Sequence, residues 1–157
     1  MAGNSPSRTI ERLIIREAKV DDLDTIHSIE LKCFGQDAYG LALLQIYQVI
    51  SLNTFLVAEY EGAVVGYVIG TLEARGEGHV VSIGVHPNYR RKGVATALLN
   101  EVINRFNARG VRIVKLEVRV SNFPAINLYR KLGFEITGIV EKYYSDGEDA
   151  YMMVKSL

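Results

Sequence analysis

The chain of 157 residues has little of several features that would assign it to a class of protein. Its single cysteine, Cys33, excludes an internal disulfide bond and fits a reducing compartment. No stretch approaches the roughly 18 apolar residues of a membrane-spanning helix. The 18 basic residues are balanced by 18 acidic ones, so the chain lacks the positive charge typical of proteins that bind nucleic acid or membrane surfaces. We therefore expect a cytoplasmic protein with no nucleic-acid or membrane partner.

The length predicts one domain with a substantial core. Residues 1–11 begin with a segment rich in glycine, serine and proline and contain no apolar stretch. They are predicted to form a disordered tail and not a signal peptide. Residues 12–157 are predicted to form the single domain.

Hydrophobic periodicity predicts seven strands and four helices. Strands are predicted at residues 13–18, 55–60, 64–72, 79–85, 111–120, 134–144 and 150–155. Helices are predicted at residues 21–33, 41–50 and 93–108, followed by a short helix that Gly133 ends. Residues 75–78 read as a glycine-rich loop, and Asp146-Gly147 as the turn of the last hairpin. The order predicts an α/β (α+β) fold with a mixed, mostly antiparallel seven-stranded sheet flanked by four helices.

A basic, glycine-containing turn joins the predicted strand that ends at Val85 to the next predicted helix. The turn contains Arg90, Arg91, Lys92, Gly93, Val94, Ala95 and Thr96. Backbone N–H groups at a helix start have no partner within the helix, and the helix dipole adds partial positive charge there, so the turn is typical of a phosphate-binding site. Gly93 allows an anion to approach the backbone closely. The spacing matches neither the P-loop nor the dinucleotide-binding fingerprint.

The spacing Arg90-x-x-Gly93-x-Ala95 resembles the Arg/Gln-x-x-Gly-x-Gly/Ala signature of the GCN5-related N-acetyltransferase (GNAT) family. Residues 116–122 and 125–134 resemble the remaining signature of the same family. More narrowly, residues 78–83, 117–122 and 143–151 resemble the archaeal N-terminal (Nα) acetyltransferases, which are relatives of the ribosomal-protein alanine acetyltransferase. The resemblance implies a GNAT fold and transfer of the acetyl group of acetyl-CoA to the α-amine of protein N-termini, by direct attack in a ternary complex.

The resemblance also implies which residues bind acetyl-CoA. The turn at residues 90–96 would hold the pyrophosphate, and the N–H of Val85 would face the thioester oxygen. A strand edge would pair with the pantetheine amides through Ile83, Gly84 and Val85. Asn122 and Asn127 match positions that contact the cofactor arm in relatives, although either could instead cap the neighbouring helix.

Three residues match catalytic positions of the family. Tyr129 corresponds to the tyrosine near the cofactor sulfur that acts as general acid, with a reference pKa of about 10; alternatively it only packs on the sheet. Glu117 and His79, on adjacent strands, are candidates for the base. Because an α-amine with a pKa near 8 is about a tenth neutral at pH 7, modest assistance suffices. His79 could instead only form a hydrogen bond at the strand edge, and this pair without a third ligand predicts no catalytic metal.

Acceptor binding is predicted in two segments that carry tyrosines, Tyr39 in the loop after the first helix and Tyr144 in the last hairpin. Some archaeal relatives have a catalytic glutamate in the first loop, but this chain has Gln36, which cannot act as a base, followed by Asp37, which could. A small-molecule amine acetyltransferase and a non-catalytic acyl-CoA-binding regulatory module stay open as alternative functions. The ribosome or an auxiliary subunit is a further candidate partner.

Overall fold

The computed structural model describes residues 12–157, so the predicted tail at residues 1–11 lies outside the described residues. The strands are β1 Leu13–Glu17, β2 Phe55–Tyr60, β3 Ala63–Glu73, β4 Glu77–Val85, β5 Ile113–Arg119, β6 Glu135–Val140 and β7 Ala150–Ser156. The α-helices are α1 Leu23–Phe34, α2 Leu41–Ile50, α3 Val94–Ala108 and α4 Phe123–Lys131.

All seven strands belong to one sheet in the order β1-β2-β3-β4-β5-β7-β6. Every neighbouring pair is antiparallel except β4 and β5, which are parallel. The crossover between them is α3, as a parallel pair requires. The predicted mixed, mostly antiparallel sheet with four helices is therefore confirmed.

The core lies on both faces of the sheet. Along β2, Phe55 and Val57 pack with α1 and α2, whereas Leu56 and Ala58 pack with α3 and α4. This alternation is the consequence of the two-residue period of a strand. Helix α3 lies very close to the sheet at Phe106, where a Cβ atom on Gly70 would stand 2.7 Å from the ring. Glycine at this position lets the large ring reach the sheet.

Two of the predicted boundaries that differ from the structure lie near the site described below. Strand β4 begins at Glu77, so Gly78 belongs to the strand and not to a loop. Strand β6 ends at Val140, and residues 141–149 form a loop that includes the predicted Asp146-Gly147 turn. Lys142 has a φ of 52° there, and its N–H donates to the side chain of Asp149 at 2.9 Å, so the sheet ladder does not continue.

No helix within residues 12–157 combines the length and the apolar character needed to cross a bilayer.

Candidate active site

The parallel strands β4 and β5 separate in the middle of the sheet. They are in register at Gly78–Val114 and His79–Lys115, and beyond these pairs they diverge. A cleft of about 840 Å³ opens between them, lined by residues 80–85 of β4 and 116–119 of β5. The edge of β4 that faces β5 loses its strand partner here, so its backbone groups are available to an extended ligand. The predicted residues Ile83, Gly84 and Val85 all line this cleft.

The basic turn has the geometry of an anion site. Arg91 and Gly93 have φ values of 63° and 82°, and Gly93 is the N-cap of α3. A hollow of about 160 Å³ lies over this helix start and continues into the cleft. Its lining includes Arg90, Arg91, Gly93, Val94, Ala95 and Thr96. The free N–H groups of the first turn of α3 therefore adjoin a space that a phosphate group could occupy.

Arg90 and Lys92 differ from the rest of the turn. The Nε of Arg90 donates to the carbonyl of Val85 at 3.1 Å, and its Nη2 lies 3.4 Å from the Sγ of Cys33. Its side chain thus fixes the turn against β4 and α1. Lys92 is exposed and lines neither hollow. Among the charged side chains of the turn, Arg90 and Arg91 line the hollow and Lys92 does not.

The two predicted asparagines, Asn122 and Asn127, differ in their position relative to the cleft. Asn122 lines the cleft, but its Oδ1 accepts from the N–H of Ala125 at 3.3 Å, so it is also the N-cap of α4. Asn127 is exposed on α4 and does not line the cleft. The structure therefore places Asn122, and not Asn127, beside the cleft.

Tyr129 projects from α4 into the cleft and is 8% exposed. Burial raises its pKa to about 12. The phenol therefore keeps its proton over the usable pH range, and it is a weaker acid than the expected ordinary phenol. It is suited to donate a hydrogen bond to a thiolate as negative charge develops on the sulfur.

His79 joins two carboxylates. Its Nε2 lies 2.8 Å from the Oε1 of Glu117, as expected for the predicted pair, and its Nδ1 lies 2.7 Å from the Oε2 of Glu73. Glu73 is held in turn by the Nζ of Lys115 at 2.8 Å. Glu117 lines the cleft, whereas His79 does not. A chain of contacts therefore runs from the cleft through Glu117 and His79 to Glu73, which is partly exposed.

The charges of this cluster set the protonation of His79. Burial disfavours the imidazolium, but the hydrogen bonds and charges of Glu117 and Glu73 outweigh it and raise the pKa of His79. The bonds from Lys115 and His79 overcome burial and lower the pKa of Glu73. Because the two ring nitrogens point in opposite directions, the carboxylates flank the ring and do not converge on a metal-sized space. Residues 12–157 contain no group of three or more potential ligands in an arrangement that could hold a metal ion.

Sequence reasoning missed Glu73, although a signal was present. Thr71 pairs with His79 across β3 and β4, so Glu73, two residues further along, is a diagonal neighbour of His79 on the same face. Because β4 was predicted to begin at residue 79, the pairing of its first two residues with the end of β3 was not foreseen.

Glu30 was also missed. It is 1% exposed and lines the cleft. Its Oε1 accepts from the hydroxyls of Tyr67 and Ser82, and its Oε2 accepts from the N–H of Tyr39 at 2.9 Å. The signal was its position on α1, where it falls on the apolar stripe of Leu23, Ile26 and Cys33.

The predicted acceptor residues, Tyr39 and Tyr144, both line the cleft. Tyr39 and Tyr144 line it from two different loops, and burial raises the pKa of both phenols. Both carboxylate oxygens of Asp37 are occupied, one by Arg119 at 3.0 Å and the other by the N–H of Ser145 at 2.9 Å. Asp37 is thus committed to contacts within the protein, which makes it a poor candidate for the base.

A helix start beside a hollow that a phosphate could occupy, leading to a cleft between two separated parallel strands, is the geometry expected of an acyl-CoA-dependent transferase. In agreement, residues 23–134 match the model of the acetyltransferase (GNAT) family, and the chain belongs to this family. The resemblance noted in the sequence is thereby confirmed.

Relatives cover about nine tenths of the chain. The chain is 39% identical to an N-alpha-acetyltransferase of Sulfurisphaera tokodaii, over 91% of this chain and 92% of that protein. It is 38% identical to the N-terminal acetyltransferase A complex catalytic subunit NAA10 of Arabidopsis thaliana, over 91% and 77% of the two chains. The crystal structure of Ard1 from Thermoplasma volcanium is similar with a TM-score of 0.89 and 31% identity, covering 93% of this chain and 98% of that one.

Proposed function

We propose that the protein transfers the acetyl group of acetyl-CoA to the α-amine of protein N-termini, by direct attack in a ternary complex. One observation carries this proposal: a single cleft is lined by the basic turn, by Glu117 and Tyr129, and by the two predicted acceptor residues Tyr39 and Tyr144. The names of the relatives from Sulfurisphaera and Arabidopsis support it.

Acetyl-CoA fits the donor end of this cleft. The helix start at Gly93–Ala95 would hold the pyrophosphate, and the free edge of β4 at Ile83–Val85 would pair with the pantetheine amides. When bound, acetyl-CoA supplies the thioester whose carbonyl carbon the amine attacks. The N–H of Val85 is the proposed donor to the oxyanion.

Glu117 is the group best placed to take the proton of the amine. It lines the cleft, whereas His79 lies behind it and is shared with Glu73. The proton can pass from Glu117 through His79 to the partly exposed Glu73 and then to solvent. An α-amine needs little help, because about a tenth of it is neutral at pH 7, and this favours N-termini over lysine side chains. Tyr129 stabilises the thiolate that leaves when the carbon–sulfur bond breaks.

A panel of short peptides that differ in their first two residues, incubated with acetyl-CoA while free thiol is measured, tests the proposal. We expect thiol release and an acetyl group on the α-amine, located by mass spectrometry. Glu117→Gln should lower kcat by about 10²–10⁴ while leaving acetyl-CoA binding intact. Small amines such as spermidine serve as the comparison. Release with amines alone would support a small-molecule acetyltransferase. Acetyl-CoA binding without release from any acceptor would support a regulatory module.

We further propose that the protein acts in the cytoplasm, which its single cysteine favours. An auxiliary subunit or the ribosome is the proposed partner. The Arabidopsis relative, named as the catalytic subunit of a complex, supports a subunit partner.

A further inference from the structure

Arg119 lies at the end of β5, between the two loops that wall the acceptor end of the cleft. Its Nη2 donates to the Oδ2 of Asp37 at 3.0 Å, on the loop between α1 and α2. Its Nη1 donates to the Oε1 of Glu148 at 2.7 Å and to the Oδ2 of Asp146 at 3.0 Å, both on the loop between β6 and β7. The guanidinium also lies 4.1 Å from the centre of the Tyr144 ring. One side chain therefore contacts both loops at once.

Asp37 provides a second connection between the same loops. While its Oδ2 binds Arg119, its Oδ1 accepts from the N–H of Ser145 at 2.9 Å. The side chains of Asp37 and Arg119 are only 22% and 28% exposed, whereas that of Asp146 is 59% exposed. A partly buried ion pair holds its geometry better than an exposed one, which water and salt weaken.

The connection bears directly on the acceptor residues. Asp37 stands two positions before Tyr39, and Ser145 directly follows Tyr144. Asp37 thereby fixes the distance between the two walls that carry these tyrosines. No contact of this kind joins Asp37 or Arg119 to the turn at residues 90–96, so the pair acts on the acceptor end of the cleft within the described part of the chain.

We propose that Asp37 and Arg119 form a clasp that positions the two tyrosine-bearing loops and thereby sets the affinity for the acceptor peptide. Both are positioning residues, because they act through the loops and not on the reacting atoms. This proposal rests on the proposed function of the cleft, since it assumes that a peptide N-terminus binds between these loops.

Steady-state kinetics of Asp37→Asn test the clasp. The amide oxygen can still accept from Ser145, but the charge that holds Arg119 is lost. We expect the KM for the acceptor peptide to rise about tenfold, with kcat and the KM for acetyl-CoA within about twofold of the wild type. Asp146→Asn is the matched control. It removes one carboxylate from the same guanidinium but leaves the two loops joined, so its peptide KM should change less than twofold.

The double variant Asp37→Asn with Arg119→Gln tests whether the two residues act as one unit. If they do, its peptide KM equals that of the more affected single variant and the effects do not add. A lower kcat for Asp37→Asn with unchanged peptide KM would overturn the clasp and would make Asp37 a candidate base. A peptide KM that rises equally in Asp146→Asn would overturn it too.

Hydrogen–deuterium exchange supplies a readout that does not need activity. In Asp37→Asn, amide exchange should accelerate in residues 35–40 and 141–149 but not in β4. Unchanged exchange in both loops would show that no clasp exists. If the wild type acetylates no peptide, the proposed function fails, while the exchange measurement still decides whether the loops are joined.

Discussion

At the scale of single residues, the site depends on groups whose protonation is set by their neighbours. Tyr129 is buried and stays protonated, whereas His79 is held between two carboxylates that favour its charged form. Their positions in the family motif were visible in the sequence. Their altered pKa values were not, because burial and the contact with Glu73 arise only in the folded protein.

Replacing Tyr129 by phenylalanine tests the role of the phenol. The ring packs edge-on against Phe134, and phenylalanine keeps that contact while removing the hydroxyl. We expect kcat to fall by about 10²–10⁴ and the thermal midpoint to change little. Thiol release at saturating peptide and acetyl-CoA measures kcat, and thermal denaturation followed by circular dichroism measures the midpoint. An unchanged kcat would show that the hydroxyl takes no part in the reaction.

The pH dependence of kcat tests the cluster of Glu73, His79 and Glu117. Its carboxylates raise the pKa of His79 above 6.5, so the acidic limb of the kcat profile should lie above pH 6.5. Glu73→Gln removes one of these charges, and the limb should move to lower pH. A limb that does not move would show that His79 takes no part in proton transfer. The groups are coupled, so the profile reports the cluster and not one residue.

The raised pKa of His79 also makes the stability of the protein depend on pH. Because the folded-state pKa of His79 is raised above its unfolded value, its stabilising contribution is complete below pH 6.5 and is lost as the pH rises through the folded pKa. The difference in thermal midpoint between wild type and Glu73→Gln should therefore shrink as the pH rises from 6.5 through the folded pKa of His79, a range in which the carboxylate of Glu73, whose pKa is lowered, stays ionised. Calorimetry across that range measures it, and a difference that widens with pH would contradict the assignment.

At the scale of elements, local patterns predicted more than long-range contacts did. Helix α3 and the turn before it were predicted because the apolar period and the glycine lie in one short segment. The clasp was not, because Asp37 and Arg119 are 82 positions apart in the sequence. Strand β6 was predicted too long because the contacts that end it are made by side chains of the following loop. Asp149 accepts from the N–H of Lys142, and Glu148 accepts from the distant Arg119.

Glu30 connects α1 to β3, β4 and the loop after α1, so its removal should destabilise the protein. It accepts from Tyr67 on β3, from Ser82 on β4 and from the N–H of Tyr39 beyond α1. In Glu30→Ala the N–H of Tyr39 loses this acceptor, and the hydroxyls of Tyr67 and Ser82 keep each other as partners at 3.2 Å. The loss of the shared buried acceptor should lower the free energy of unfolding by about 3 kcal/mol. Urea denaturation measures the change.

Glu101 provides the matched control for this prediction. It is a partly exposed helical glutamate whose one side-chain partner among the described residues is Arg105, at 2.9 Å. Glu101→Ala should therefore cost less than about 1 kcal/mol. Equal losses for the two variants would contradict the role of Glu30 as a connection between elements.

At the scale of the whole molecule, the cleft has two ends with different origins. The donor end is built from one continuous segment, β4 and the start of α3, which explains why the sequence alone predicted a phosphate-binding turn there. The acceptor end is built from two loops that only the fold brings together. Its residues Tyr39 and Tyr144 were predicted, but the contacts that position them required the structure.

Stabilisation of the whole protein by acetyl-CoA tests the donor end separately. At a hundredfold excess over Kd, a ligand that binds the folded state adds about 2.7 kcal/mol, or about 5–10 °C in Tm for a domain of this size. Gly93→Ala places a Cβ at a φ of 82° on the anion-binding turn, so most of this shift should be lost. Gly62→Ala introduces the same backbone strain at a φ of 84°, in the open turn between β2 and β3. Both variants should lower the Tm of the free protein similarly, but Gly62→Ala should keep the full shift. A full shift in Gly93→Ala would show that the turn is not part of the acetyl-CoA site, because the two substitutions place a Cβ at nearly equal φ values and differ in whether they lie on that turn.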